Sequence, residues 1–521
     1  MKRTLSHSAE NARKTYCQRT LTIIESLELK SENMTLEKTQ IDNFKASVSQ
    51  AAKTILETVG KGAFIQVFSH LDADGVAAAG IIGKALWRLN ALFRIKVTQW
   101  VDDKIIGEIT IGKPQLVVLT DFGSGYIDLL NEKLPHQQIV ILDHHQIVGN
   151  ATNPVFVQVN PHLHGIDGAT DVSGSGVAYF TAKALKAENV DLSPIALVGA
   201  LGDMQDKYEQ RRLGGLNTAI VEDAVNAGLV KVEKDLTFFG RETRSIHKAL
   251  ASSTSPFIPG ISGDEGAAVA FLNSVGIPLR DGEKWRALRD LSDDEKKRLC
   301  TGLAEHLLSK GLHLEVSKLV GEIYVLTNEQ PNTSLRDARE FSVVLNSTGR
   351  LGKPSLGIAV CMGDRKSALA DANRVLEDYR RDINRYLTWV MEKSERMREF
   401  GNVFVVYGES AVNEKVIGTV ASILAYSLPV SEKPILAFAN VEEEGVAKFS
   451  ARTTDAVVQR GVNLGEVMRV VSEKLGGKGG GHNIAAGAQV PLEKVDDFVR
   501  LGDELVGKQL RGEKIGSDDN T

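Results

Sequence analysis

Apolar residues recur at helical spacing through IDNFKASVSQAAKTILETV and stop at Gly60-Lys61-Gly62, which predicts one helix ahead of the first domain. The stretch before it, from residue 1 to about 38, is polar and only weakly periodic. Beyond the glycines the pattern changes to short, continuous apolar runs. AFIQVFSHLDADG reads as a buried strand feeding the helix VAAAGIIGKALWRL, and LVVLTDFGSG and IVILDHHQ are two more runs of strand length, each closing on charged residues and turn formers. Continuous apolar strands alternating with helices predict an α/β fold with an open, largely parallel sheet, whose ligands sit beyond the carboxyl ends of the strands. A fourth run, SPIALVGALGDMQD, also turns polar at its end, but its spacing fits helix and strand equally.

This pattern places a leader and helix over residues 1–60 and a first domain over 61–225. Residues 226–330 are mixed and charged, with a helix predicted at SDDEKKRLCTGLAEHLL, and read as a linker or an inserted helical region. An α/β pattern resumes near IYVLTN and takes in LGIAVCMG, a long amphipathic helix from about Ala368 to Phe400, NVFVVYGES and KPILAFANVEEEGVAKFSARTT, predicting a second domain over 331–508. On the long helix Leu376, Tyr379, Ile383, Leu387 and Val390 share one face. Its Arg380, Arg381 and Arg385 have acidic neighbours and read as a solvated face. Residues 509–521 are expected to form a disordered tail.

Composition adds exclusions. The 521 residues carry a formal net charge of −5 with a pI of about 6.2, so the whole chain has no basic excess and any polyanion site must be local. Cys17, Cys300 and Cys361 are far apart, in no metal-binding or paired spacing, which suits a reducing compartment. The early apolar piece LTIIESLEL is short and broken by glutamates, neither signal core nor membrane span, so a cytoplasmic protein without a membrane partner is expected.

The ends of the four runs hold the chemistry. SHLDADG supplies His70, Asp72 and Asp74; LTDFGSG supplies Asp121; LDHHQ supplies Asp143, His144 and His145; LGDMQD supplies Asp203. Several carboxylates gathered unpaired at the ends of buried strands would repel one another and resist desolvation, and divalent cations remove that cost. Mixed carboxylate and imidazole donors suit Mn²⁺ first, then Mg²⁺, with Zn²⁺ possible, and a pair of ions about 3.5–4 Å apart serves phosphoryl transfer. Asp-x-Asp alone is often a turn and His-His alone is often structural; the ordered combination is what carries weight. Asp206, one turn past Asp203, reads as a capping or solvated carboxylate. The turn Ser173–Gly176 is either a plain helix cap or a set of N–H groups offered to a phosphate.

Near the C-terminus, five glycines, Gly476, Gly477, Gly479, Gly480 and Gly481, surround Lys478 and precede His482, a composition that lets backbone N–H groups approach a phosphate. KFSARTT adds Lys448 and Arg452 at a predicted strand end, the guanidinium fork of Arg452 matching a pair of phosphate oxygens.

His-x-Asp-x-Asp, a second-strand Asp, Asp-His-His and a later Gly-Asp, in that order, resemble the four motifs of the DHH phosphoesterase superfamily. Ser-x-Arg with the Gly-Gly-Gly-His segment resembles the associated C-terminal domain that binds the nucleic-acid strand. Arg339, Asn346 and Arg350, together with FFGRETRS, resemble the archaeal RecJ-like branch, and Arg241 and Arg244 of that piece are candidate phosphate contacts. The resemblance implies two metal ions, His70 and Asp72 on one, Asp74, His144 and Asp203 on the other, with Asp121 bridging. It implies that Asp143 orients the His144 imidazole, that His145 faces the scissile phosphate, and that a water activated by the two ions is the nucleophile. The function implied is exonuclease digestion of single-stranded DNA or RNA in replication, repair or RNA turnover. Two alternatives are a phosphodiesterase for short oligonucleotides or cyclic dinucleotides, and a scaffold associated with GINS and the replicative helicase.

Overall fold

The computed structural model describes residues 36–515 apart from 150–152, 254 and 428–431. The polar leader therefore lies outside the described residues, and the first helix, α1, spans Lys38–Gly60. Five parallel strands follow in spatial order β2-β1-β3-β4-β5. The three predicted runs are β1 (Phe64–Ser69), β3 (Leu116–Thr120) and β4 (Ile139–Leu142). Apolar layers cover both faces of this sheet, which is why these runs are largely apolar. The two edges, β2 (Leu92–Val97) and β5 (Phe156–Val159), were not evident from the sequence, because one alternates exposed and half-buried residues and the other has four residues.

Three helices bring residues to the carboxyl end of this sheet: α2 (Ala73–Arg88), α3 (Gly174–Leu185) and α4 (Ser193–Gly202). The ambiguous SPIALVGALG run is α4. It is packed on every side, so no amphipathic period marks it, and Asp203 arrives at a helix C-terminus and not at a strand end.

The middle region is more than a linker. Strands β6 (Val230–Leu236) and β7 (Val320–Leu326) pair antiparallel and bracket a core of their own containing Phe238, Ile246, Leu250, Leu299 and Leu303. IYVLTN thus closes this unit instead of opening the next. Helices α5 (Ala338–Arg350) and α6 (Pro354–Cys361) then pack into the first core through Phe341, Val344, Leu345 and Val360. LGIAVCMG is largely α6, set against α2 so closely that a β carbon on Gly80 would lie 2.3 Å from that of Cys361.

The long helix α7 (Ser367–Glu392) joins two cores: Ala372 and Leu376 sit in the first, Tyr379, Tyr386 and Val390 in the second. It stops short of the predicted Phe400 because Met397–Glu399 leaves as strand β8 to pair with β9 (Phe404–Glu409). Beyond them lie α8 (Ile417–Ser427), β10 (Ile435–Val441), β11 (Val446–Arg452), α9 (Leu464–Lys474), β12 (Lys478–Gly481), β13 (Ala485–Pro491) and α10 (Val495–Leu510). The mixed sheet runs β8-β9-β10-β11-β13-β12, with α9 and α10 on one face and α7 and α8 on the other. Residues 509–515 are not a disordered tail: α10 continues to Leu510 and Ile515 is buried in the same core. Among the described residues no helix is long and apolar enough to cross a membrane.

Candidate metal centre

Asp72 follows β1 as the N-cap of α2, its Oδ1 accepting from Gly75 N–H at 3.1 Å, so the strand-to-helix turn holds His70, Asp72 and Asp74 together. Asp121 follows β3 in the left-handed region at φ 60°, its own N–H bonded to the Leu142 carbonyl at 2.9 Å. Its two oxygens face two different neighbourhoods. Oδ2 lies 3.6 Å from His70 Nδ1, which is 3.0 Å from Asp72 Oδ2. Oδ1 lies 3.2 Å from His144 Nε2, which is 3.3 Å from Asp203 Oδ2 and 3.8 Å from Asp74 Oδ2.

These atoms are close but misaligned for hydrogen bonding: His70 Nδ1, His144 Nε2, Asp74 Oδ2 and both Asp121 oxygens are buried without a hydrogen-bond partner. Orphaned donor atoms converging from several elements are what a cation site requires, and the ligand atoms of His70, Asp72 and Asp121 lie within reach of one ion, as do those of Asp74, His144 and Asp203, with Asp121 Oδ1 beside the second group through His144. Asp74, Asp121 and His144 form a closed floor, at most 1% exposed, while His70, Asp72 and Asp203 form an open rim, each about a quarter exposed at 24%, 26% and 28%.

Electrostatics match this crowding. Burial, with Asp74 and Asp72 close by, pushes the Asp121 carboxyl up to about 7. Burial, with the same two aspartates beside it, raises Asp203 to about 6 against the pull of His144. Burial opposes charge on His144, yet Asp121, Asp203 and Asp74 hold it well above ordinary imidazole. A second bond fixes the tautomer, since His144 Nδ1 donates to the Gly168 carbonyl at 2.7 Å and leaves Nε2 facing the carboxylates.

The role expected for Asp143 needs correction. Its Oδ1 accepts from the ring Nδ1 of His145 at 2.8 Å, whereas it meets His144 only at the backbone N–H, also 2.8 Å. The His144 ring is oriented by Gly168, and Asp143 orients His145. Burial works against the Asp143 charge, but His145, His144 and the Ser124 N–H hold it well below the usual carboxylate range.

Several supporting groups escaped sequence reasoning. Ser173 caps α3, and the next turn serves a carboxylate, Ser175 N–H donating to Asp74 Oδ1 at 3.1 Å. Gly174 is where Asp121 passes, leaving 2.5 Å between a β carbon there and Asp121 Oδ1. The SGSG turn was visible in the sequence; that it faces the acids and not a phosphate depends on α3 crossing the sheet end. Gly174→Ala is therefore expected to displace Asp121 and weaken Mn²⁺ binding roughly tenfold or more, read by calorimetric titration, with unchanged affinity counting against this packing. Asp206 is neither solvated nor a cap: it is buried between Arg211 and Arg339.

The C-terminal domain faces this rim. The His482 ring lies 6.1 Å from that of His145, and burial together with His145, His144 and Lys207 pushes His482 down to about 4. The glycine segment leading to it is an extended strand and not a loop. Lys478, Gly479, Gly480 and Gly481 form the edge strand β12, and the glycines are explained in part by α9, whose Met468 carbonyl would stand 2.5 Å from a β carbon on Gly479. Lys448 shares the face of β11 with Arg452 and lies 3.7 Å from Glu444. Arg452 is held by Ser422 Oγ and the Ala451 carbonyl over the first turn of α8, and burial with Arg350 close by lowers it to about 10. Arg350 donates to the Lys415 carbonyl at 2.7 Å and acts on Asp72, so it links the two domains beside the rim.

Comparison with known proteins adds a consistent picture. The model for the DHH family N-terminal domain matches residues 64–202, that for the DHH-CID domain 238–320, and that for the DHHA1 domain 400–508. An uncharacterized protein of Methanocaldococcus jannaschii is 33% identical over 472 residues, 89% of this chain and 98% of that protein. RecJ from Thermus thermophilus in complex with Mn²⁺ superposes with a TM-score of 0.55 at 17% identity, over 89% of this chain and 55% of RecJ, so this chain spans about half the length of that protein. An exonuclease RecJ bound to manganese gives 0.52 at 17% identity, over 90% of this chain and 97% of that one. CDC45 from Entamoeba histolytica gives 0.62 at 11% identity, over 88% and 99%.

Proposed function

The chain belongs to the DHH superfamily as a RecJ-like protein, and from that premise we propose that it is a metal-dependent phosphodiesterase that hydrolyses single-stranded nucleic acid from an end. The observation that carries this reading is one buried carboxylate, Asp121, set between two groups, with one oxygen toward His70 and Asp72 and the other toward His144, Asp74 and Asp203. The first pair would hold one divalent ion and the second set another, with Asp121 shared. Two such ions, Mn²⁺ first by the mixed donor set, supply a water acidic enough to attack near neutral pH and offset charge on the phosphate.

The remaining work falls to side chains of the two domains. His145, its Nδ1 committed to Asp143 and its ring stacked 6.1 Å from that of His482, can hold a proton against a phosphate oxygen through Nε2. His482, depressed to about 4, is neutral at pH 7 and serves as a hydrogen-bond partner without charge. Arg350 and Arg452 converge at the N-terminus of α8 with no carboxylate within 4 Å among the described residues, an arrangement that favours a phosphate. Lys448 and Lys478 add positive charge along the same domain.

End-labelled single-stranded DNA and RNA, from dinucleotide to 20-mer, incubated with Mn²⁺ or Mg²⁺ test this directly. Stepwise products from long strands are expected; cleavage restricted to the shortest substrates would turn the reading to a short-oligonucleotide phosphodiesterase, and no cleavage at any length would remove it. The fold likeness to CDC45 favours an added role, attachment to a replication complex containing GINS and the helicase, which affinity capture on purified GINS would test.

A further inference from the structure

FFGRETRS contains two arginines that the fold treats differently. Arg241 is consumed: its guanidinium contacts Glu233, Asp235 and Glu242 at 2.9, 2.9 and 3.2 Å. Arg244 has no ion pair among the described residues. It donates to Ser252 Oγ at 2.6 Å and lies over the Phe239 ring, 4.9 Å from its centroid. The arginines of α7 divide in the same way. Arg381 and Arg385 pair with Asp378 and Asp382, as the sequence suggests, but Arg380 is left out and its buried Nε has no hydrogen-bond partner.

Arg244 and Arg380 are both half-buried where the middle domain meets α5 and α7; Glu377 acts on Arg380 alone, while Glu340, which bonds to the two residues before Arg244, acts on both guanidiniums. That carboxylate is already engaged, accepting from Glu242 N–H at 2.6 Å and from Thr243 Oγ1. Burial and the charge of Arg380 lower the Arg244 guanidinium to about 10. Two partly desolvated guanidiniums beside one carboxylate that is already engaged cost free energy that an anion held by both would offset.

The position of this pair indicates which anion. Glu340 stands at the start of α5, next to Arg339, which is tied to the loop after Asp203 through Asp206. Arg350, at the other end of α5 and about 15 Å away by helical rise, lies beside Asp72 and Arg452. Guanidiniums with no ion pair within 4 Å among the described residues thus flank both ends of the helix that passes the metal rim. We propose that Arg244 and Arg380 form a second phosphate clamp that holds the backbone of a nucleic-acid strand a few nucleotides from the scissile phosphate, so that the middle domain measures strand length. This rests on the proposed nuclease reading.

The test is equilibrium binding of fluorescent oligo-dT of 2, 4, 8 and 12 nucleotides to the full chain in EDTA, followed by anisotropy over a salt series. The double variant R244Q/R380Q is expected to bind the 8- and 12-mers about a hundredfold more weakly, roughly tenfold per guanidinium, with a salt slope shallower by about 0.7 for the one clamped phosphate, and to bind the dinucleotide as the wild type does. R244K/R380K should recover most of the slope, since a lysine keeps the charge. Unchanged binding of long strands by the glutamine variant would overturn the clamp while leaving the nuclease reading intact. Equal weakening at all lengths would assign the pair a structural role. Wild-type protein that binds no oligonucleotide, and cleaves none with Mn²⁺, would remove both readings.

Discussion

Asp121→Ala is expected to lower phosphodiester hydrolysis by at least roughly a thousandfold and yet to leave the metal-free protein more stable than the wild type. The first effect follows from the position of the carboxylate, since losing it removes a donor from both metal groups at once. The second follows from its environment. Asp121 is raised from the ordinary aspartate value to about 7 by burial and by Asp74 and Asp72, so the folded state binds its proton more tightly than the unfolded chain does. Such a group contributes stability that is present at acid pH and lost as pH rises through the folded value. Asp203, raised to about 6, acts in the same sense, and so do His70 and His144, held above ordinary imidazole.

Metal-free wild type should therefore lose stability, of the order of a few kcal/mol, between about pH 5 and pH 8. Asp72 and Asp143 are depressed and contribute in the opposite sense, but only well below that window. Ions compete with protons for the same atoms, so Mn²⁺ affinity should rise across the range and the ion should flatten the stability profile. Thermal unfolding from pH 5 to 8 with EDTA or Mn²⁺, run beside Asp121→Ala, reads both. A variant that melts lower than wild type at pH 8 in EDTA would show that the cluster is not a strained, cation-requiring site.

Legibility in the sequence divided along physical lines. Strands β1, β3 and β4 announced themselves because both faces are buried, and the acids at their ends stood out because charge directly after a long apolar run is unusual. The edge strands lacked that signature, and α4 hid its type by being apolar all round. LGIAVCMG, apolar throughout, had no assigned type for the same reason, and Gly80 makes room for it as a helix.

Pairings of charge were legible only where partners are close in sequence. Arg381 with Asp378 is a neighbour on one helix and was anticipated; the isolation of Arg380, the consumption of Arg241 by β6, and the engagement of Asp143 with one imidazole and not the other depend on contacts between elements. The glycines before His482 were ambiguous because a tight helix-on-strand packing and a phosphate cradle call for the same residue. The register of β12 on β13, with α9 above it, accounts for Gly479 by packing.

The least anticipated residue carries the other large expected effect. Asp206 Oδ2 accepts from Arg211 Nε at 2.8 Å and from Arg339 Nη2 at 2.6 Å, with only 4% of its side chain exposed. Burial opposes its charge, but Arg339 and Arg211 hold it below the usual carboxylate range. Its contribution is present near neutrality and fades only as pH falls through that lowered value. Asp206→Ala would leave two mostly buried guanidiniums facing each other without a counter-ion, costing about 3–5 kcal/mol. The damage should reach the metal rim, because Asp206 ends the loop that begins at Asp203 and turns through Met204 at φ 56°. Between them Gln205 donates to the Gly168 carbonyl at 2.9 Å, the same oxygen that orients His144. Loss of the anchor is therefore expected to weaken Mn²⁺ binding roughly 10–100-fold besides lowering the melting temperature. Replacing the ions by apolar groups, as in Asp206→Leu with Arg339→Met, should recover part of the stability but not the metal affinity. If the double variant regained both, the pair would be ordinary packing; if Asp206→Ala lost neither, the loop would be held by Gln205 alone.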